Sequence, residues 1–451
     1  MNLGETSKVR LFSNRDLFYL FLPLIIEQML EFITGLADSI MVSYVGEAAV
    51  SGVSLVDFIM QFLISLFAAL ATGGAVVAGQ YLGSKHQKEA KEAANQLVWF
   101  AGGFALIVMV LVYLFQRPIF HLLFGQIEAD VYRHSYSYMM VVAASIPFLA
   151  IYNAGAAVFR TQGNAKLPMQ IMFAMNIVNI LGNAVMVYGF QMGTLGVAIP
   201  TLISRIGAAV LVMFWAIRPE NPLQIQKTLR HHVNGQLIRQ ILGIGAPYGL
   251  ENGMFYFGRL LILSLVSSFG TASIAANSVA QTLVNFEVLP GLAIGLGLTV
   301  VISRCMGSGD IEQSKYYTKK VVGIIYVVQT VVCLSLIALM PVIMGIYGLS
   351  AEATRLVWIL VIAHAVMEII WPLGYTLPVT FRASGDAKFP MAVSMSSMIV
   401  CRILMAYVIS YLFDWGLIGV WAAMFLDWIV KAVIFTWRYF SMKWAKYSVI
   451  K

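Results

Sequence analysis

Three carboxylates share one face of an otherwise apolar stretch near the N-terminus. Residues Pro23 to Gly46 read PLIIEQMLEFITGLADSIMVSYVG, long and apolar enough to cross a bilayer, for which about 20 residues suffice. At roughly 100° per residue, Glu27, Glu31, Thr34 and Asp38 form a single polar stripe. A carboxylate turned toward lipid costs several kcal/mol, so such groups normally face a bundle interior or a wet cavity. One role open to them is structural, each acid hydrogen-bonded within the bundle. Three in register with no basic residue between them point to handling of protons or cations. Asp38 has mainly apolar neighbours, which disfavour its charged form. An acid held that way can take up a proton from one side and release it to the other.

Further polar positions recur inside apolar stretches. Glu251 and Asn252 repeat the pattern of Glu27 and Gln28, and Gln281 and Asn285 repeat that of Asp57 and Gln61. A cleft lined by Glu27, Gln28, Glu31, Asp57, Gln61, Glu251, Asn252, Gln281 and Asn285 would be acidic and suit cationic substrates. Packing across a helix interface is the competing role. His364 and Glu368 lie four residues apart, on one helical face, and could relay protons. Arg205, Arg259, Arg402 and the Asp427/Lys431 pair are expected to be structural ion partners. His231 and His232 fall in a polar loop and are expected to be solvated. Cys305, Cys333 and Cys401 show no paired spacing, so neither a disulfide framework nor a metal site is expected. No cofactor is expected beyond a transported proton or sodium ion.

The elements that must position these residues follow from composition. The chain of 451 residues is 60% hydrophobic and 11% charged, less than half the charge of an ordinary soluble domain. It reads as an all-α polytopic membrane protein. Apolar segments at about 17–45, 49–82, 93–116, 134–159, 168–190, 195–217, 241–269, 273–303, 316–346, 352–381, 390–413 and 418–440 predict twelve spans. The net charge of +8 reflects topology and not nucleic-acid binding. With the N-terminus inside, 22 of the 29 basic residues fall in inner loops and tails and only Arg117, Arg133 and Arg355 outside, so both termini are expected to be cytoplasmic. The first 16 residues carry charges and no small-residue cleavage site, and read as a retained tail.

The chain is also a repeat. A shift of 224 superposes Pro23 on Pro247, Glu27 on Glu251, Gly46 on Gly270 and Gly83–Ser84 on Gly307–Ser308, and FRTQGNAKLPM at 159–169 matches FRASGDAKFPM at 381–391. The proline- and charge-containing stretch 218–240 is the expected linker between a bundle at 1–217 and one at 241–451. Six spans per half make the repeats parallel, related by a pseudo-two-fold axis along the membrane normal, with a central cleft between two six-helix bundles.

Taken together, LADSIMVSYVG in the first span, the basic turn after the second, the paired FRxxGxAKxPM segments and NILGNAVMVYG in the fifth span resemble the multidrug and toxic compound extrusion (MATE) transporters over nearly the whole chain. The resemblance implies a V-shaped, cation-coupled exporter of organic cations and drugs in the cell membrane. It places the central coupling acid on Asp38, the fifth-span pair on Asn179 and Asn183, and a sixth-span threonine on Thr201. The chain departs from both branches of the family. The second member of the fifth-span pair is Asn183 where the DinF type has Asp, and Phe255 and Trp371 stand where the NorM type has acids. Asn183 leaves Asp38 without a like-charged neighbour in that pocket. A lone carboxyl can still exchange protons, whereas a hard cation depends strongly on ligand charge, so protons are favoured over sodium.

The leading reading is therefore a secondary antiporter, acting as a monomer on small organic cations and amphipathic drugs. A lipid-linked saccharide flippase of the same superfamily is the alternative, and would need basic cleft residues for pyrophosphate. A membrane-embedded enzyme finds no support, since no HExxH, phosphate-cradling glycine loop or nucleophile–base spacing occurs.

Overall fold

The computed structural model describes residues 10–226 and 232–450. Lys227, Arg230 and His231 of the linker, most of the N-terminal tail and Lys451 lie outside them. The described residues make twelve helical passages: α1 (Asn14–Ser43), α2 (Glu47–Gly83), α3 (Gln87–Phe124), α4 (Ala129–Thr161), α5 (Lys166–Gly189) and α6 (Leu195–Ala216) in the first half. The second half has α7 (Gly235–Ser267), α8 (Thr271–Gly307), α9 (Ile311–Tyr347), α10 (Ala351–Met367 with Trp371–Ser384), α11 (Lys388–Leu412) and α12 (Gly416–Phe440). Side chains cap several of the helix starts. Ser13 and Asp16 form a reciprocal capping box, Asp16 N donating to Ser13 Oγ and Ser13 N to Asp16 Oδ2. Asn234 and Asp310 accept from first-turn amides of α7 and α9. In the two FRxxGxAKxPM segments Gly163 and Gly385 take positive φ, the conformation that lets the chain leave one helix and enter the next.

Ten passages are individually long and apolar enough to cross a membrane, and α10 joins them if its two pieces count as one span. Two of the twelve predicted spans therefore need correction in character. The tenth, expected as one run over 352–381, is broken and bent by 67°. The seventh has 33 residues but is too polar to pass on composition, because Arg239, Glu251, Asn252 and Arg259 lie along it. Broken or polar helices are tolerated at membrane depth where they line a cavity or lie buried in protein. Large apolar side chains such as Leu114, Val331, Leu412 and Phe440 are exposed on the outside, as a lipid-facing surface requires. Both fifth passages carry a π-helical turn, Val185–Gly189 in α5 and Met398–Leu404 in α11, a local widening often found at functional sites.

The halves meet through α2 and α8 in a reciprocal contact. A Cβ on Gly83 would lie 2.1 Å from the Arg304 carbonyl oxygen, and one on Gly307 would lie 2.0 Å from that of Gln80. The side chain of Arg304 donates to the Thr161 carbonyl at 2.5 Å, and that of Gln80 to the Ala383 carbonyl at 2.9 Å. The repeat shifts that pair Gly83 with Gly307 and Gln80 with Arg304 also pair Thr161 with Ala383. Residue i meeting j while the equivalent of i meets the equivalent of j is what a two-fold axis produces. The contact closes the end of the molecule that holds the basic loops.

A side chain at Gly307 would press on backbone, which cannot swing aside. Overpacking of this kind costs about 1–3 kcal/mol, enough to shift a two-state equilibrium roughly 5- to 140-fold. Gly307→Val is therefore expected to open this end, lengthening the spin-label distance between Ser84→Cys and Ser308→Cys. An unchanged distance distribution would show that the helices absorb the side chain.

Candidate functional site

In the first half, α1, α5 and α6 bring the four coupling candidates into one hydrogen-bonded chain. The Asn183 amide donates to Asp38 Oδ1 at 2.6 Å and to Asn179 Oδ1 at 3.3 Å. Asn179 donates to Thr201 Oγ1 at 3.1 Å, and the Thr201 hydroxyl donates to the Val197 carbonyl at 2.8 Å. Asn179, Asn183 and Thr201 are buried, while Asp38 is half-buried. The spacing of four residues between the asparagines stacks them on one face of α5. Buried Asn183 Oδ1 has no partner, so the chain retains one vacant acceptor beside Asp38.

Residues that the sequence reading passed over complete this region. Tyr138 donates its hydroxyl to Asp57 Oδ1 at 3.2 Å, and Asn176 donates to the Leu30 carbonyl at 3.0 Å. Asp57 lies within electrostatic reach of Asp38, as does Arg205. Among the described residues no second acid is bonded into the pocket of Asn179, Asn183 and Thr201; α2 contributes a like-charged group, Asp57, that acts on Asp38 from outside it. Arg205 is not the ion-paired residue expected. It donates to Ser145 Oγ at 2.8 Å and acts on Asp38 and Asp57 at longer range.

The acidic stripe on α1 divides. Glu31 is exposed and accepts from Gln28 at 3.1 Å. Glu27 is not on an open wall. It is 2% exposed, receives Arg160 Nη2 at 2.5 Å and the Tyr152 hydroxyl at 3.2 Å, and so forms a buried ion pair between α1 and α4. Arg160, one residue beyond the predicted span at 134–159, stands in the last turn of α4.

The second half holds a cavity of about 370 Å³ whose wall includes Glu251, Asn252, Gln281 and Asn285. Gln61, on α2, is exposed and outside that wall. The cavity is not acidic, contrary to expectation. Arg259, Arg382, Arg402 and Lys431 also line it, and Glu251 is held by Arg382 Nη1 at 3.1 Å. The pairing of Lys431 with Asp427 is present at 3.0 Å, and Ser397 donates to the other Asp427 oxygen at 2.5 Å.

His364 and Glu368 gain a partner that sequence reasoning missed. His364 Nδ1 meets Glu287 Oε2, and lies 3.7 Å from Glu368 Oε2. Gln329 donates to Glu368 Oε1 at 2.6 Å. All four are buried, and one oxygen each of Glu287, Gln329 and Glu368 has no partner. One ligand atom from each of Glu287, His364 and Glu368 lies within 4.8 Å of the others, so the triad could hold a proton or a metal ion. The signal for Glu287 was available, since it is an acid inside an apolar span.

Two parallel six-helix halves, each with buried polar groups at membrane depth, define a polytopic transporter fold. The MatE family pattern matches residues 23–185 and again 247–408, and the chain belongs to that family. It is 26% identical over 442 residues to the "Uncharacterized transporter YisQ" of Bacillus subtilis, covering 95% of this chain and 94% of that one. It is 22% identical over 460 residues to the "Probable multidrug resistance protein YoeA" of the same organism, covering 99% and 97%. Among solved structures, an "Outward-facing conformation of a multidrug resistance MATE family transporter" superposes with a TM-score of 0.86 at 19% identity, over 96% of this chain and 97% of that one.

Proposed function

We propose that this chain is a monomeric cation-coupled antiporter of the cell membrane, with cytoplasmic termini, that exports organic cations and amphipathic drugs by alternating access. The observation that carries the reading is the chain from Asp38 through Asn183 and Asn179 to Thr201. It joins one carboxylate, half open to the cleft, to three buried groups on two other helices. Protonation of Asp38 would change what Asn183 can donate to, and so reset the packing of α1 against α5. That is a two-state element of the kind alternating access needs. The family's multidrug relatives support the substrate class.

Protons are favoured over sodium. In the observed arrangement Asn183 presents its N–H to Asp38, whereas a hard cation takes oxygen ligands. Sodium would find Asn183 Oδ1 open as a ligand but would have to share Asp38 Oδ1 with that hydrogen bond. The experiment is transport by purified protein in proteoliposomes with each gradient imposed alone. A proton gradient at equal sodium should drive counterflow of a cationic dye; drive by sodium at equal pH, with no response to protons, reverses the choice of ion.

One observation favours the flippase alternative, namely the basic wall formed by Arg259, Arg382, Arg402 and Lys431. The acids Glu31, Asp38 and Asp57 on the facing half weigh against a polyanionic substrate.

A further inference from the structure

The buried polar cluster of the second half takes no part in the Asp38 chain, and its oxygens outnumber the donors around them. Glu287 of α8, Gln329 of α9, and His364 and Glu368 of α10 are each at most 4% exposed. Among the described residues neither glutamate is ion-paired to a lysine or arginine, and His364 is the basic side chain they share. Glu287 Oε1, Glu368 Oε2 and Gln329 Oε1 have no hydrogen-bond partner. An acceptor left unmade in a dry interior is costly. One proton shared in the cluster would serve one of these oxygens and leave the others.

The cluster is held in place from outside. Gln329 donates to Glu368 Oε1 at 2.6 Å, which leaves Oε2, 3.7 Å from His364 Nδ1, on the side of the imidazole. The His364 ring stands edge-on to Trp428 and Trp421, at 5.0 and 6.1 Å between ring centres. Gly291, four residues after Glu287 on α8, lets the helices approach: a Cβ there would lie 2.4 Å from the Trp371 ring and 2.7 Å from Gln329 Nε2. Outer contacts of this kind fix the orientation of ligands in metal sites. Glu368 itself ends the first piece of α10, at the 67° break. His364 also lines the cavity of about 370 Å³, which gives an ion and its water a route in.

Charge and donor type select the ion. One ligand atom from each of Glu287, His364 and Glu368 lies within 4.8 Å of the others. Two carboxylates beside a neutral imidazole carry two negative charges, which a divalent cation balances and a monovalent one does not. Calcium and magnesium favour all-oxygen sites, whereas imidazole with carboxylate suits zinc and its neighbours among the transition metals. We propose that Glu287, His364 and Glu368 form a site for a divalent transition-metal ion, zinc in the first instance, that ties α8 to the break in α10. Three protein ligands leave a position for water from the cavity. The ion resides within one bundle, and its binding does not depend on the export reading.

Full-length protein, purified with its affinity tag removed and stripped with EDTA, is titrated with zinc chloride by calorimetry. One equivalent is expected to bind and to raise the thermal unfolding temperature by a few degrees, while magnesium and calcium chloride have no such effect. Glu287→Gln and His364→Gln each remove a ligand and should weaken zinc binding by about 100-fold or more, beyond the range for outer contacts. Gln329→Leu removes no ligand but releases Glu368, and should weaken binding by about tenfold, the lower end of that range. Glu287→Gln takes away a buried charge and keeps the side-chain size, so it decides the matter if His364→Gln does not fold. No zinc binding to the unaltered protein overturns the site, as does zinc binding that survives Glu287→Gln unchanged. An equal response to calcium would make this a hard-cation site and overturn the transition-metal assignment.

Discussion

Asp38→Asn protein is expected to insert, purify and bind dye, and yet to build no substrate gradient. Asn preserves the size of the side chain and can still accept from Asn183, whose amide reaches position 38 at 2.6 Å. What it removes is the only carboxylate bonded into the Asp38–Asn183–Asn179–Thr201 chain. A single charge moved through about 100 mV carries roughly 2.3 kcal/mol, near a 50-fold substrate gradient when 1.4 kcal/mol is tenfold. Loss of the coupled charge should therefore collapse accumulation to the ratio seen without any gradient. Dye counterflow in proteoliposomes of matched protein content measures this. Full gradient-driven efflux by a well-folded Asp38→Asn protein would move the coupling role elsewhere, with Glu287, His364 and Glu368 the next group to substitute.

Glu27→Ala should be costly for a different reason. Glu27 and Arg160 are 2% and 14% exposed and 2.5 Å apart. Removing one member of a buried pair leaves an uncompensated charge, a loss of about 3–5 kcal/mol. Arg160 already keeps its Nε without a partner, so little else nearby can take up the donors that Glu27 releases. The double substitution Glu27→Met with Arg160→Met should recover most of the loss, because the desolvation cost leaves with both charges. Thermal unfolding in detergent, run as a double-mutant cycle, reads out the coupling. Additive effects of the two single changes would show that the pair does not act as a unit, and that Glu27 is better regarded as a cleft acid.

This second result bears on how acids in apolar spans are to be interpreted. Glu27, Glu31 and Asp38 share one stripe on α1, yet they have three environments: an ion pair to α4, an open wall, and an amide chain to α5. Periodicity says which face of its own helix a residue occupies. It does not say which helix that face meets. The same holds for Glu251 and Glu27, which are 224 residues apart in register. Each is paired to an arginine of the FRxxGxAKxPM segment of its own half, Arg160 and Arg382, so the repeat extends to an ion pair that spacing along one helix could not show.

Much of this protein follows from local sequence. Runs of apolar residues fix the passages, since backbone groups in lipid must be satisfied within a helix. The constant shift between halves fixes the two-fold relation, and the Gly83 and Gly307 contacts then realise it across α2 and α8. The family motif singled out Asp38, Asn179, Asn183 and Thr201, and folding joins them. Tertiary structure alone decided the charge of the cleft. Arg160, Arg382, Arg402 and Glu287 are far in sequence from the groups they meet, and a residue's net charge depends on partners that helix packing brings within a few ångströms. For that reason a wall expected to be acidic throughout is acidic on one half and basic on the other.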